Sequence, residues 1–374
     1  MLLASWRVPA GGSGRLPAGL RERFEEEDTA TCSIAIDLLR SLRWFLAANA
    51  KSRHPRRVFM KSLPIPVSQE AGRKSLTLKE SYAWCEELTR RSRSNFRWSF
   101  YTLDADRRRA MMALYGFMRL TDDLGDDESI PSAERAVQLG EWRKTLAYAL
   151  ASTSADNDSS HPLMPALRDT ITRFEIPPQY LYDVIAGVEM DLHPVGVKTL
   201  TELETYSYHV AGAVGLCCIH IWGFRGEEAI PPALACGRAL QYTNILRDVG
   251  GDLELGRIYV PEELLEANGY SVEQLKSRVY SPQFVAVMEQ MSQIARRNYA
   301  ESEQLFPLLD PAGRPILRAM TDTYLSLLER IERARFRVFD RRIRVPAWRK
   351  LWLVGRSLLT SKPVARRMPR NSNR

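Results

Sequence analysis

Apolar residues recur at helical steps almost throughout this chain, and two of the helical rows end in paired aspartates. Met111, Tyr115, Met118, Asp122 and Asp126 advance by four, three, four and four residues. Gln241, Asn244, Asp248 and Asp252 advance by three, four and four. Each aspartate pair has the spacing D-x-x-x-D, which stacks both carboxylates one turn apart on one helix face. The first row starts apolar and so faces the core. Its carboxylates then continue a buried face, which is costly unless they are paired or metal-bound. Arg119 falls on the same side, between Tyr115 and Asp122, whereas Arg247 points away from the second row. A blander reading stands beside this one. The first pair is then a solvated helix end among the surface acids Asp123, Asp127 and Glu128. The second is a polar helix end stopped by Gly250-Gly251, with Asp252 on a frayed turn. Two pairs, each ending a helical run, favour a site that gathers hard divalent cations and a polyphosphate.

Strand signals are few, and there is no Asn-Gly or Asp-Gly hairpin signal and no internal repeat of fixed period. The chain is therefore expected to be all-α. With 374 residues, 45% of them hydrophobic, it has material for one large core or two smaller ones. Five cysteines, odd in number and without metal spacing, point to a reducing compartment. Cys217-Cys218 sits in an apolar run and is expected to pack in the core. The net charge is +8, with much of the excess near the ends. Basic residues after Arg341 are interleaved with Trp348, Leu351, Trp352, Leu353 and Val354. Such a segment fits an anionic membrane surface as well as it fits a last helix with a solvated tail. The expected location is the cytoplasm, at or near a membrane surface.

The chain divides by composition. Residues 1–76 hold Gly-Gly-Ser-Gly, the acidic run 25–28 and the basic run 51–57. They read as a disordered extension, neither signal nor transit peptide, with Met60 as the candidate true start. Residues 77–355 read as one helical domain and residues 356–374 as a basic disordered tail. Thr77 or Ser81 can cap the first helix, and Asp104 reads as the N-cap of the long helix through Asp122. Further helices are expected at about 164–174, 178–191, 201–223, 228–254, 272–279, 283–305 and 314–337, with Pro177-Pro178 and Pro231-Pro232 at helix starts. Between Tyr206 and Gly215 small residues imply close packing, a kink or room for a ligand, and His209 reads as structural.

Three segments then resemble one family. Tyr-Gly-Phe-Met-Arg-Leu-Thr-Asp-Asp-Leu-Gly-Asp at 115–126, Tyr-x-x-x-Val-Ala-x-x-Val-Gly at 206–215 and Gln-x-x-Asn-Ile-Leu-Arg-Asp-Val-x-x-Asp-x-x-x-Gly-Arg-x-Tyr-x-Pro at 241–261 are similar, in order and spacing, to the squalene/phytoene synthases. The resemblance runs from about Leu78 to Leu353. It implies an isoprenoid synthase-type helical bundle around a central cavity, and head-to-head condensation of two prenyl diphosphates. By the same resemblance Asp122, Asp126, Asp248 and Asp252 would hold Mg²⁺, while Tyr115, Arg119, Gln241, Asn244 and Arg247 match polar positions around it. Tyr206 and Val210 match positions beside the reacting chains, and Phe96 and Phe100 match residues of the chain tunnel. Gly251, where an acid is common, and Asn95, where many members have Ser, depart from the pattern.

The expected chemistry is loss of diphosphate to leave an allylic cation, kept dry and attacked by the second chain. A cyclopropylcarbinyl diphosphate results and is ionised in turn. Bulk at Phe96 and Phe100 favours two C15 (farnesyl) substrates and presqualene diphosphate or squalene-type products; two C20 (geranylgeranyl) diphosphates and phytoene are the alternative. No Gly-x-Gly-x-x-Gly is present, and NADPH use stays open, as does oligomeric state. A di-iron bundle wants Glu-x-x-His, and none of His161, His193, His209 and His220 lies in one. A nucleic-acid partner is not expected, because the basic residues sit at the termini rather than around a recognition element. A non-catalytic membrane-surface protein requires inert aspartates.

Overall fold

Thr77 opens the first helix through a capping box. Its hydroxyl accepts the Glu80 N–H at 3.3 Å, and the Glu80 carboxylate accepts the Thr77 N–H at 2.8 Å. The structure, a computed structural model, describes residues 76–92, 96–127, 129–152, 161–192 and 196–360. The extension before Leu76, Asn95, His193 and the tail after Thr360 lie outside the described residues, as do the side chains of 96–98. Helix α1 spans Leu78–Arg91, and a 3₁₀ turn follows at Phe96–Thr102. Asp104 then accepts from the backbone of Asp106 at 3.0 Å and Arg107 at 2.9 Å, starting α2, Ala105–Asp126. The capping expectation holds, and the helix carries both aspartates of the first pair.

The chain continues through α3 (Ser132–Ala151), α4 (Met164–Arg173), α5 (Pro178–Asp191) and α6 (Leu200–Ser207). A π-helical turn at Tyr208–Gly212 joins α6 to α7, Ala213–Trp222. Helix α8 spans Ile230–Glu254. Short helices α9 (Glu262–Ala267) and α10 (Val272–Lys276) precede α11, Pro282–Ser302. The last three are α12 (Leu305–Leu308), α13 (Arg314–Arg333) and α14 (Ala347–Thr360). Among the described residues there is no strand, only an isolated bridge between Phe224 and Leu309. The fold is all-α, as the periodicity implies. Helices α3, α9 and α12 come in addition to the spans read from sequence, and α14 is the last helix that the segment around Trp348 and Trp352 allowed.

Two apolar clusters form the core. Leu114, Phe117, Leu146, Leu167, Leu181 and Ile185 anchor one; Tyr242, Leu246, Phe284, Met288, Leu328 and Ile331 anchor the other. Helix α8 belongs to both, giving Ala233 and Cys236 to the first and Tyr242 to Val249 to the second. It is therefore the shared beam that fixes where the second aspartate pair stands.

Two expectations are corrected. Gly250-Gly251 does not stop α8, which continues to Glu254, so Asp252 lies on a helical turn rather than a frayed one. The reason is packing: a Cβ on Gly250 would lie 2.2 Å from the Phe339 carbonyl oxygen, so glycine there admits the backbone after α13. Tertiary contact overrides glycine's helix penalty. The second correction is the tail. Helix α14 runs past 355 to Thr360, with Leu353, Val354 and Ser357 buried. His209 is structural, its Nδ1 within 3.1 Å of the Asp183 carbonyl oxygen. Cys217 and Cys218 are buried in the first cluster.

Candidate active site

A chamber of about 550 Å³ opens between α2, α5, the α6–α7 segment, α8 and α13. That volume suits a small-molecule ligand. Its wall changes character along the helices. On α2 it runs from Met111 and Leu114 through Tyr115 and Met118 to Asp122 and Asp126. On α8 it runs from Ala233 and Cys236 through Leu240, Gln241 and Asn244 to Asp248 and Asp252. Both acidic ends are C-terminal, and Arg257, just past α8, reaches Asp126 at 3.5 Å. The two pairs thus share one polar end of an otherwise apolar chamber.

The electrostatics of that end are strained without counter-charge. Burial, then the neighbouring Asp126, pushes the Asp122 carboxyl up to about 7. Asp122 nevertheless has substantial exposed surface and lines the chamber: it is deeply set, but open to it. Burial, then Asp248, pushes Asp252 up to about 7 as well. Asp248 itself is held by two guanidinium groups. Arg247 Nε donates to it at 2.8 Å, and Arg342 does so at 2.7 Å and 2.9 Å. Arg247 therefore faces the site, against the reading from its helical position alone.

A fifth carboxylate lines the chamber. Asp191, at the end of α5, accepts from Tyr259 Oη at 2.7 Å and from Tyr206 Oη at 3.2 Å. The two tyrosine rings stack with centroids 4.8 Å apart. Val210, Gln241, Asn244, Tyr115 and Phe100 also line the chamber. Phe100 is 2% exposed and meets Tyr115 edge-on at 6.1 Å. The Phe96 side chain lies outside the described residues.

Arg119 is the exception. It is exposed, forms an ion pair with Asp123 and does not line the chamber. Its i+4 partner draws it to the outer face. The residues missed in sequence were Asp191, Arg257, Tyr259, Tyr324 and Arg342. Asp191 ends the row Val184, Val188, Asp191, the same apolar-to-acid pattern as on α2. Arg257 and Tyr259 lie inside the Gly-Arg-x-Tyr-x-Pro motif, whose spacing alone assigns them no role.

Among the described residues no three His, Cys, Asp or Glu side chains form a ready-made metal cage. Mg²⁺ needs none, because it binds through one or two carboxylates, waters and substrate phosphates. Two oxygen-donor pairs beside arginines suit that mode of binding a metal–diphosphate unit.

An all-α body around an apolar chamber, with carboxylates and arginines at one end, defines an isoprenoid synthase-type protein. A family model described as squalene/phytoene synthase matches residues 89–349. The 15-cis-phytoene synthase of Synechococcus elongatus is 33% identical over 287 residues, covering 74% of this chain and 91% of that protein. Phytoene synthase 1 of Zea mays is 34% identical over 294 residues, covering 75% of this chain and 70% of that protein. Among solved structures, a dehydrosqualene synthase superposes with a TM-score of 0.67 at 29% identity, covering 76% of this chain and 97% of that one. Squalene synthase HpnC from Alicyclobacillus acidocaldarius gives 0.64 at 25%, covering 69% and 95%. The chain belongs to the squalene/phytoene synthase family, whose members are prenyltransferases.

Proposed function

We propose that this chain condenses two prenyl diphosphates head to head, with Mg²⁺ held by Asp122, Asp126, Asp248 and Asp252. One observation carries the reading: both aspartate pairs line the same end of a single apolar chamber. Bound Mg²⁺ would supply Lewis-acid charge to the departing diphosphate. Arg247, Arg257 and Arg342 add fixed positive charge at that end, and Gln241 and Asn244 stand just inside it. The apolar wall from Met118 and Val210 inward keeps water from an allylic cation. The ring face of Tyr206 offers that cation a π surface.

For chain length we favour two C15 diphosphates, giving presqualene diphosphate or squalene-type products. The support is Phe100, a large buried ring on the chamber wall. Two C20 diphosphates, giving phytoene, form the second reading; it is favoured by the phytoene synthase names of the sequence relatives. Equimolar C15 and C20 diphosphates, offered with and without NADPH and analysed by product mass, separate the two. Phe100→Ala should raise the C20 share. The five extra carbons it would admit are worth about 0.8 kcal/mol each when buried. Wild type already favouring C20, or an unchanged ratio in the variant, makes phytoene-type activity the better reading.

We also propose that the enzyme works at an anionic membrane surface. No described helix is long and apolar enough to cross a membrane. Trp348 and Trp352, one turn apart on α14, are 68% and 54% exposed. From Arg341 onward the sequence has eleven Lys and Arg and no Asp or Glu. Tryptophans flanked by cations on a helix suit the headgroup region of such a bilayer.

A further inference from the structure

Five carboxylates line the polar end of the chamber, and one of them is engaged differently from the rest. Asp248 is held by arginines, and Asp126 by Arg257. Asp191 instead spends each oxygen on a phenol: Oδ1 on Tyr259 at 2.7 Å and Oδ2 on Tyr206 at 3.2 Å.

We propose that Asp191 is a positioning residue: by accepting both phenol protons it turns the lone pairs and ring faces of Tyr206 and Tyr259, rather than their O–H donors, toward the chamber. The inference rests on the carbocation chemistry proposed above. A phenol carries a single proton. Once that proton is committed to a carboxylate, the rest of the hydroxyl presents only acceptor character. Charge assistance strengthens the Tyr259 bond, at 2.7 Å; the Tyr206 bond, at 3.2 Å, is the weaker of the two. The stacked rings, 4.8 Å apart and 21° from parallel, then move as one wall. Val210 lies four residues beyond Tyr206, within the π turn Tyr208–Gly212. A cation beside this wall meets negative potential. A free O–H pointing inward would present the opposite sign.

Asp191→Asn separates this role from a structural one. The amide has one acceptor oxygen and two N–H donors, so at most one phenol keeps its orientation. We expect kcat to fall about 10- to 100-fold with KM nearly unchanged, the range for losing a hydrogen bond to a charged group. We also expect a larger share of water-trapped alcohols and of the first condensation product relative to the final one. Asp191→Glu, which keeps two acceptor oxygens, should restore part of the final-product share. Stabilisation by Mg²⁺ plus pyrophosphate, read by thermal shift, should stay at the wild-type level.

Wild-type kcat and product ratio in Asp191→Asn overturn the inference. So does loss of the Mg²⁺–pyrophosphate shift, which would make Asp191 a metal ligand. Should Asp191→Asn fail to fold, Tyr259→Phe provides the test: removing one phenol proton should raise the alcohol share, and an unchanged profile overturns the inference. A wild-type chain that converts neither C15 nor C20 diphosphate overturns the enzymatic reading and this inference with it. An active wild type with an unchanged variant overturns this inference alone.

Discussion

Replacing Asp248 by Asn tests the metal assignment most directly, because the structure separates its effect on turnover from its effect on folding. The carboxylate accepts from Arg247 at 2.8 Å and from Arg342 at 2.7 Å and 2.9 Å. Arg247 is largely covered, with 14% of its side chain exposed, so it loses a charged partner it cannot fully replace with water. Loss of one such bond costs roughly 1–3 kcal/mol. A helical domain of this size should tolerate that with a Tm drop of several degrees. Turnover should fall much further, about 100-fold or more, since a metal ligand charge is lost where each metal supplies several kcal/mol. Asp122→Asn should lose turnover to the same extent but without the Tm drop, because it removes a carboxyl that burial and Asp126 disfavour rather than one held by arginines. Asp123→Asn is the internal control: it pairs with Arg119 outside the chamber, and such an i,i+4 pair is worth only about 0.3–0.5 kcal/mol. The assay is product formation at saturating Mg²⁺, beside far-ultraviolet circular dichroism and thermal melts. Near wild-type turnover in both Asp122→Asn and Asp248→Asn would refute the metal assignment. An equal loss in Asp123→Asn would show that position along the helix, not access to the chamber, decides the outcome.

Other outcomes follow from the same geometry. Asp122 and Asp252 titrate near 7 in the folded chain, against about 3.9 for an unfolded aspartate. The folded state therefore holds more protons between those values, so metal-free stability should fall as pH rises from about 4 to about 7. Mg²⁺ competes with those protons, so the Tm gain from Mg²⁺ plus pyrophosphate should be larger at pH 8 than at pH 6; an equal or reversed gain counts against the pair as ligands. We propose that residues before Met60 are dispensable, since the first described helix is closed by its own capping box at Thr77; a chain starting at Met60 that fails to fold or turn over would overturn this. Trp348→Ala with Trp352→Ala should weaken binding to phosphatidylglycerol-containing vesicles, and added salt should weaken it further, with each Lys or Arg near the surface worth about 1 kcal/mol. Equal binding to neutral vesicles, or no change in the variant, would argue against the membrane face.

What sequence made legible here is what repeats. The rows on α2 and α8 run from apolar to acidic at helical period, so both aspartate pairs could be placed on inward faces before any coordinates. Asp191 obeys the same rule on α5, yet a single acid at the end of a row carries no pair to flag it. Arg119 shows the limit of the rule from the other side. It lies near the row, but Asp123 four residues on offers it a partner toward solvent, and that local pair decides its direction. Gly250-Gly251 fails for a different reason. Propensity reads a stop, whereas the structure uses the missing side chain at Gly250 to admit the Phe339 backbone. That contact belongs to the segment carrying Arg342, which reaches Asp248 from 94 residues away. No period links those positions. The carboxylates are thus set by local helical geometry, while part of the positive charge that balances them is delivered by tertiary folding. A glycine that looks like a helix breaker helps that delivery: a side chain at Gly250 would push away the backbone three residues before the arginine that meets the second aspartate pair.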